Sequence, residues 1–549
     1  MFKLLVTSSD KEYEYEAGKS LLKILLDAKI FVDNPCNGKG TCGKCKVKII
    51  SGNIHASNET EKRLLSEEEI KEGIRLACLV MPETDLKIEL LQKERKHKVL
   101  TKGYIPEFSF EGEIQKRLHS FGLKSGKMPE KMYGIAIDIG TTTVVCALID
   151  MYTGKEIENV SNINAQKHFG LDVLTRITYE IEHPESGVQE LQYAIVDSIN
   201  EMLGELCNKA NANRTDIYEI VVAANCTMLH TLLGVEAISL GRAPYEPVFK
   251  DAKQVKASEI GIQIAAEGSV YCLPSVSAYI GADIVAGAYV CELQKEKDNV
   301  LFVDIGTNGE IVLANKGRLL CCSCAAGPAL EGMNISSGMR AAEGAIEDIV
   351  ITENEVKLQV IGDEEPAGLC GSGILAAVKE LLRVGLLKKE GAFIKPKQME
   401  ENDYRHKYLQ MNGAKREFVV TREPVEILVT QSDVRQVQLA KGAILSGFIA
   451  LLQKAGIQME DLDKVMIAGQ FGAHLPVDSL TGIGILPKEV KGKLVYVGNT
   501  SKTGAYMALM STKVRNEIEQ LAKVMEYTEL SEMKEYERLF IECLTFPGN

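Results

Sequence analysis

At 549 residues the chain exceeds what one hydrophobic core can serve, and two to four domains are expected. A formal charge of −13 disfavours nucleic acid or an anionic membrane as partner, because phosphate surfaces select basic proteins. No stretch reaches the roughly 18 uncharged apolar residues of a membrane span, and the opening MFKLLVTSSDKEYEYEAG carries no cleavage site. A cytoplasmic chain is expected, its 14 cysteines present as thiols or metal ligands rather than disulfides.

In chain order, FKLLVTS and YEYEA read as a hairpin, and SLLKILLDAKI as an amphipathic helix. The loop PCNGKGTCGKCKV follows, with Cys36, Cys42 and Cys45 spaced C-x5-C-x2-C. CKVKIISG then reads as a strand, and LACLV, which contains Cys78, and DLKIELL as two more. Four thiolates suit a [2Fe–2S] cluster, and glycines 38, 40 and 43 let the backbone curl around the sulfides. Zinc would accept the same four cysteines, but structural zinc sites favour two close pairs, whereas Cys78 stands apart. Residues 1–92 thus resemble a β-grasp ferredoxin, and the long first gap is similar to its adrenodoxin-like branch.

Residues 93–132 show no clear periodicity, open on a basic run from Lys93 to Lys102, and read as a linker. From Tyr133 apolar strands alternate with helical stretches, the pattern of an α/β domain. One echo organises this half: YGIAIDIGTTTVVCALID (133–150) and LFVDIGTNGEIVLAN (301–315) share strand, D-I-G-T, polar turn, strand. Glycine at each tip admits a phosphate close to the backbone, and threonine hydroxyls add donors. Asp138 and Asp304, opening the two turns, suit Mg²⁺, which prefers carboxylates together with substrate phosphates. Two such hairpins, facing across a cleft, can grip a polyphosphate from both sides.

Further glycine-rich pieces fit the same cleft. AAGPALEGMNISSGMR (325–340) begins with a turn at Gly327, and GLCGSGILAAVKELL (368–382) places Gly371 and Ser372 at a helix start, as an anion site or an ordinary cap. SAYIGADIVAGAYV (277–290) reads as a helix with small residues for a close crossing at a hinge. KVMIAGQFGAHL (464–475) is a strand running into Gly469 and Gly472. Cys321, Cys322 and Cys324 crowd together without a separate fourth ligand, which reads as core packing. His230 reads as a satisfied, half-buried histidine.

Residues 133 to about 510 resemble the superfamily of actin, Hsp70, sugar kinases and acetate kinase, the ASKHA fold. That resemblance implies a duplicated ribonuclease-H-like unit, in two subdomains (133–300 and 301–549), with one phosphate hairpin in each copy. It places Gly140, Thr141, Thr142, Thr143, Gly306, Thr307 and Asn308 on the phosphates and metal, and Gly469 and Gly472 on the adenosine. Here Gln470 and Phe471 separate those glycines, a departure from the usual adenosine motif.

A [2Fe–2S] domain ahead of such an ATPase resembles one family over almost the whole chain: the reductive activators of corrinoid proteins. The four cysteines, the hairpins at Asp138 and Asp304, and the segments FGLDVLTRI, GPALEG and GLCGSG carry it. The resemblance implies ATP-driven, one-electron return of cobalt(II) corrinoid to cobalt(I) in methyltransferase systems. The implied cofactors are a [2Fe–2S] cluster, ATP and Mg²⁺. The implied partners are a corrinoid protein and a ferredoxin or flavoprotein donor, and a homodimer is compatible with it. Asp138, Asp304 or Glu310 would order the attacking water. Two other readings of the same residues are a small-molecule kinase with a fused redox domain and a dehydratase-type activator, though the latter uses a [4Fe–4S] cluster between subunits.

Overall fold

The structure, a computed structural model, describes residues 2–7, 11–28, 30, 32, 38, 40, 43–91, 103–108, 129–413, 415–469 and 475–548. Two compact units are present: the described residues up to 91 with 168–171, and those of 103–167 with 172–548.

The first unit is a five-stranded sheet with the order β2-β1-β5-β3-β4. Its strands are β1 (Phe2–Val6), β2 (Lys11–Tyr15), β3 (Lys46–Ser51), β4 (Ile74–Leu76) and β5 (Leu86–Leu90). β1 pairs antiparallel with β2 and parallel with β5, as a β-grasp requires. The helix Leu21–Asp27 starts where the Ser20 hydroxyl accepts from the Lys23 amide, and it buries Leu21, Leu22, Ile24 and Leu25. They join Leu4, Val6, Val47, Leu76 and Ile88 in one core. LACLV is not a strand: β4 ends at Leu76, and Cys78 lies in the turn that follows.

The second unit contains two six-stranded sheets of one design. The first runs β10-β11-β9-β6-β7-β8 and the second β22-β21-β12-β13-β14-β23. The first comprises β6 (Tyr133–Ile139), β7 (Thr143–Asp150), β8 (Glu156–Ile163), β9 (Ile217–Ala224), β10 (Lys253–Lys256) and β11 (Ser269–Cys272). The second comprises β12 (Val300–Ile305), β13 (Gly309–Asn315), β14 (Arg318–Cys324), β21 (Lys464–Ala468), β22 (Leu494–Gly498) and β23 (Met525–Tyr527). In each, an antiparallel three-strand meander (β6–β8, β12–β14) is extended from its first strand by two parallel strands (β9 and β11, β21 and β22). Order and sense match over these five strands, the duplicated architecture of the ASKHA fold, while the sixth strand lies on opposite edges, β10 beside β11 and β23 beside β14. Between β14 and β21 the chain inserts two three-stranded sheets, β15 (Ala345–Ile351), β16 (Val356–Val360) and β17 (Gly368–Leu369), then β18 (Leu409–Asn412), β19 (Lys415–Thr421) and β20 (Ile427–Thr430). β6 and β12 are buried on both faces, which is why each reads as a continuous apolar run rather than an alternating one.

The helix Ala282–Val290 crosses the helix Thr500–Met510. The contact is so tight that a Cβ on Gly504 would lie 2.5 Å from that of Ala286, and one on Gly287 2.8 Å from Thr500 Oγ1. The linker reading needs revision at 103–108. Gly103 bridges antiparallel to Gly498, the Tyr104 amide donates to the Val497 carbonyl at 2.9 Å, and Phe108 packs edge-on against Tyr506. That segment is therefore part of the second unit's sheet edge. Cys321, Cys322 and Cys324 are buried in β14. His230 is fully rather than half buried, with its Nδ1 2.8 Å from the Cys226 carbonyl and its ring stacked on Phe249. Among the described residues no helix is long and apolar enough to cross a membrane.

Candidate functional site

Two regions hold the residues singled out from the sequence. In the first unit, β3 and β4 pair antiparallel with Lys46 opposite Leu76, and the Ala77 amide donates to the Cys45 carbonyl at 2.8 Å. This register brings the Cys45 and Cys78 sulfurs to 3.3 Å. Gly38, Gly40 and Gly43 all have left-handed φ, at 77°, 70° and 67°, so the loop turns where side chains are disfavoured. Cys36 and Cys42 lie outside the described residues. Two converging sulfurs beside a glycine-turned loop are a donor set that an iron–sulfur cluster accepts. Among the described residues no three metal-ligating side chains converge.

A buried ion pair supports this register, and no periodicity announced it. Arg75, on β4, donates from Nε and Nη2 to the two oxygens of Glu61 at 2.9 and 2.6 Å, and from Nη1 to the His55 carbonyl. Glu61 also accepts from the Leu76 amide and from the Asn58 amide in a capping box. Burial opposes its ionisation, but Arg75 and these amides hold its carboxyl below the ordinary value. Arg75→Ala leaves the carboxylate buried and unpaired, a loss of about 3–5 kcal/mol. Denaturant unfolding of the cluster-bearing unit, followed by its visible absorption, is expected to shift by that amount.

In the second unit both D-I-G-T hairpins open into one cleft of about 140 Å³, room for phosphoryl groups and a cation. The Gly140 and Gly306 amides close their turns by donating hydrogen bonds to the Thr143 and Asn308 carbonyls, both at 2.9 Å. The first tip is held from behind. Asn164 Nδ2 donates to the Gly140 carbonyl at 2.9 Å, Arg176 to that of Thr141 at 2.5 Å, and the Asn164 amide to that of Thr142 at 2.9 Å. Arg176 belongs to FGLDVLTRI, whose Asp172 caps the helix Val173–Glu182, and burial pulls its pKa down to about 9. Asn225, at a helix start, donates to Thr141 Oγ1 at 3.0 Å.

The walls of the cleft are acidic. Asp138 accepts from Ser501 Oγ and Asn499 Nδ2, each at 2.8 Å. Burial raises its pKa, against those bonds and the nearby Lys502 charge. Asp283, at the start of the helix Ala282–Val290, is pushed up to about 7 by burial and by Asp138. Asp304 is pushed up to about 8 by burial, Asp283 and Asp138. Glu310 is raised well above the carboxylate range by burial and by Asp283 and Asp304. Glu331 is raised by burial, opposed by the Thr307 and Thr142 hydroxyls and the charge of Arg340. These groups cannot all ionise cheaply while facing one another, and a divalent cation lying among them removes that repulsion.

The cleft therefore brings together Asp138, Gly140, Thr141, Thr142, Thr143, Asp304, Gly306, Thr307, Asn308, Glu310 and Gly469. Gly469 has φ +87°, and a Cβ there would collide with the Asp304 carboxylate, so β21 presses its turn directly onto the acidic wall. Gly472 lies outside the described residues. Gly327, Gly371 and Ser372 are not on the cavity wall. A Cβ on Gly371 would strike the Leu330 carbonyl, so glycine there serves packing; the helix it opens is capped at Cys370, without a side-chain bond from Ser372. Sequence reasoning missed Asp283, Glu331, Asn499 and Ser501. The one available signal was polar residues at helix starts, Asp283 and Asn499, facing small-residue helices.

Comparison with known proteins follows the same division. Residues 5–83 match the 2Fe-2S iron-sulfur cluster binding domain, 133–296 the RACo middle region, and 298–549 the C-terminal domain of RACo, the ASKHA domain. The chain is 32% identical to the corrinoid activation enzyme RamQ of Eubacterium limosum, over 94% of each. It is 26% identical to the [Co(II) methylated amine-specific corrinoid protein] reductase of Methanosarcina barkeri, over 71% of this chain and 72% of that one. A solved structure described as a reductive activator for corrinoid,iron-sulfur protein matches with a TM-score of 0.69 and 31% identity, covering 100% of this chain and 99% of the other.

Proposed function

We propose, since the chain belongs to the family of reductive activators of corrinoid proteins, that it spends ATP to return an inactive cobalt(II) corrinoid protein of a methyltransferase system to cobalt(I). It is an ATP-hydrolysing iron–sulfur protein of that family. The observation that carries the reading is the presence in one chain of converging thiols on a ferredoxin sheet and of two phosphate hairpins around an acidic cleft.

When bound by Cys36, Cys42, Cys45 and Cys78, a [2Fe–2S] cluster supplies one electron at a time. A ferredoxin or flavoprotein is a fitting source of that electron. In the cleft, Thr141, Thr142 and Thr143 face Thr307 and Asn308 across the space for phosphates. Asp138 and Asp304, opening the two turns, would help substrate phosphates hold Mg²⁺, and Gly469 and Gly472 would lie along the adenosine. For a one-electron couple about 59 mV is a tenfold factor, so an acceptor about 200 mV below its donor costs about 4.7 kcal/mol. Driving a two-state protein from 1:99 to 99:1 takes about 5.5 kcal/mol. Closing a cleft on nucleotide works on the scale that this electron needs.

The tight crossing of the helices Ala282–Val290 and Thr500–Met510 supports the coupling, because each begins with cleft residues, Asp283 on one and Asn499 and Ser501 on the other. Ligand pulling on these helix starts turns one sheet against the other about a fixed contact.

Reduced protein with MgATP is expected to convert a cobalt(II) corrinoid protein to cobalt(I), followed by absorption. Equal conversion without nucleotide would remove ATP from the account. Phosphate transfer to a small metabolite instead of hydrolysis would favour the kinase reading.

A further inference from the structure

Glu331 bridges the two phosphate hairpins. It is 2% exposed, on the short turn Pro328–Glu331. One carboxylate oxygen accepts from Thr142 Oγ1 of the first hairpin at 3.1 Å, and the other from Thr307 Oγ1 of the second. The two threonines stand 165 residues apart in sequence, yet donate to the same side chain, 189 and 24 residues away from them.

A hydroxyl has one proton to donate. Each threonine can give it to Glu331 or to a phosphate oxygen, but not to both. A nucleotide that engages Thr142 and Thr307 therefore strips Glu331 of both partners. A buried carboxylate left without donors is costly, and a water with two protons is the smallest group that relieves it. That water is then held between the tips of two loops that grip the terminal phosphate.

The other acidic groups are less suited. Asp138 is engaged by Asn499 and Ser501, which are not hairpin residues. Asp304 sits one strand residue before its tip, against Gly469, and Glu310 lies back along β13 opposite it, its Oε1 3.4 Å from Ser323 Oγ.

We propose that Glu331 is the acceptor that orients and deprotonates the water attacking ATP, an inference that rests on reading the cleft as the ATPase site. The water oxygen bonds to the γ-phosphorus while the bond from that phosphorus to the β–γ bridging oxygen breaks. ADP leaves with the electron pair, and the water proton passes to Glu331 and from there to solvent. Burial raises the Glu331 pKa, as suits a proton acceptor, and the charge of Arg340 opposes that rise.

The test compares wild-type and Glu331→Gln holoprotein, with donor and a cobalt(II) corrinoid protein present, for ATP binding, kcat and KM. Glutamine is isosteric: its Oε1 still accepts from one threonine hydroxyl and its Nε2 donates to the oxygen of the other, so the bridge is retained with one bond reversed while proton acceptance is lost. The expected result is unchanged ATP affinity and KM with kcat lowered about 10²–10⁴-fold, the range of general-base removal. Unchanged kcat, or a raised KM with kcat intact, overturns the proposal and leaves Glu331 a structural clasp. Absence of turnover in the wild type overturns the ATPase reading itself, and this inference with it. Should Glu331→Gln fail to fold, Glu331→Asp serves: the withdrawn carboxylate is expected to lower kcat at least tenfold with ATP still bound, and wild-type kcat sinks the proposal.

Discussion

Cys45→Ala is expected to abolish corrinoid reduction while leaving ATP binding at its wild-type level. Cys45 is the buried member of the sulfur pair, 3.3 Å from Cys78, and its carbonyl and sulfur both belong to the β3–β4 register. Alanine removes a ligand without disturbing that ladder, because the Ala77 amide still finds the same carbonyl. A cluster short of one thiolate is not retained, and its visible absorption disappears with it. The hairpins, the acidic groups and the helices that position them all belong to the second unit. Nucleotide affinity measured by equilibrium dialysis should therefore match the wild type. Loss of both functions together would contradict the division of labour between the units.

The second large effect concerns Asp304. Its pKa of about 8 and that of Asp283, about 7, stand above their ordinary values because both are buried beside other acids. On the proposed reading Asp304 would help hold the cation, so Asp304→Asn is expected to lower ATP turnover about 10²–10³-fold, as when a preorganised electrostatic contact is deleted. The same groups set a pH dependence. Their folded pKa values exceed the unfolded ones, so between about pH 4 and pH 8 the native protein binds more protons than the unfolded chain. Their contribution is complete at low pH and is lost as pH rises through 7 and 8, with a slope approaching about 1.4 kcal/mol per pH unit for each excess proton. Nucleotide-free protein should thus lose part of its stability from pH 5 to 8.5. MgATP should cancel that loss, and Asp304→Asn should reduce it. A nucleotide-free protein whose melting temperature rises steadily to pH 8.5, equally in wild type and variant, would refute the assignment of these pKa values.

What could be read directly was local in the chain. Each D-I-G-T hairpin is a strand, turn and strand of contiguous residues, so its partners are set by turn geometry and its glycine advertises the tip. The helix Leu21–Asp27 was legible for the same reason: its apolar spacing and Ser20 cap lie within a few residues. Cleft residues that arrive from elsewhere left no such trace. Asp283, Glu331, Asn499 and Ser501 reach the site from segments outside both hairpins, and no spacing in the sequence encodes that meeting. Glycine also misled. At Gly371 it answers a collision with the Leu330 carbonyl rather than a ligand, and a run such as GLCGSG looks alike in both cases. Residues 103–108 carry no signal of their own within the linker-like stretch 93–132, because six residues are too few for periodicity to speak. Their edge pairing with Gly498 and Val497 depends on backbone groups alone.

The repetition of one sheet plan within a single polypeptide has a kinetic corollary. Had the halves been separate subunits, the catalytic pocket would have to be reassembled by collision, and dilution would empty it. Here peptide bonds hold the two copies at a permanent local concentration, so dilution does not separate the two walls of the cleft.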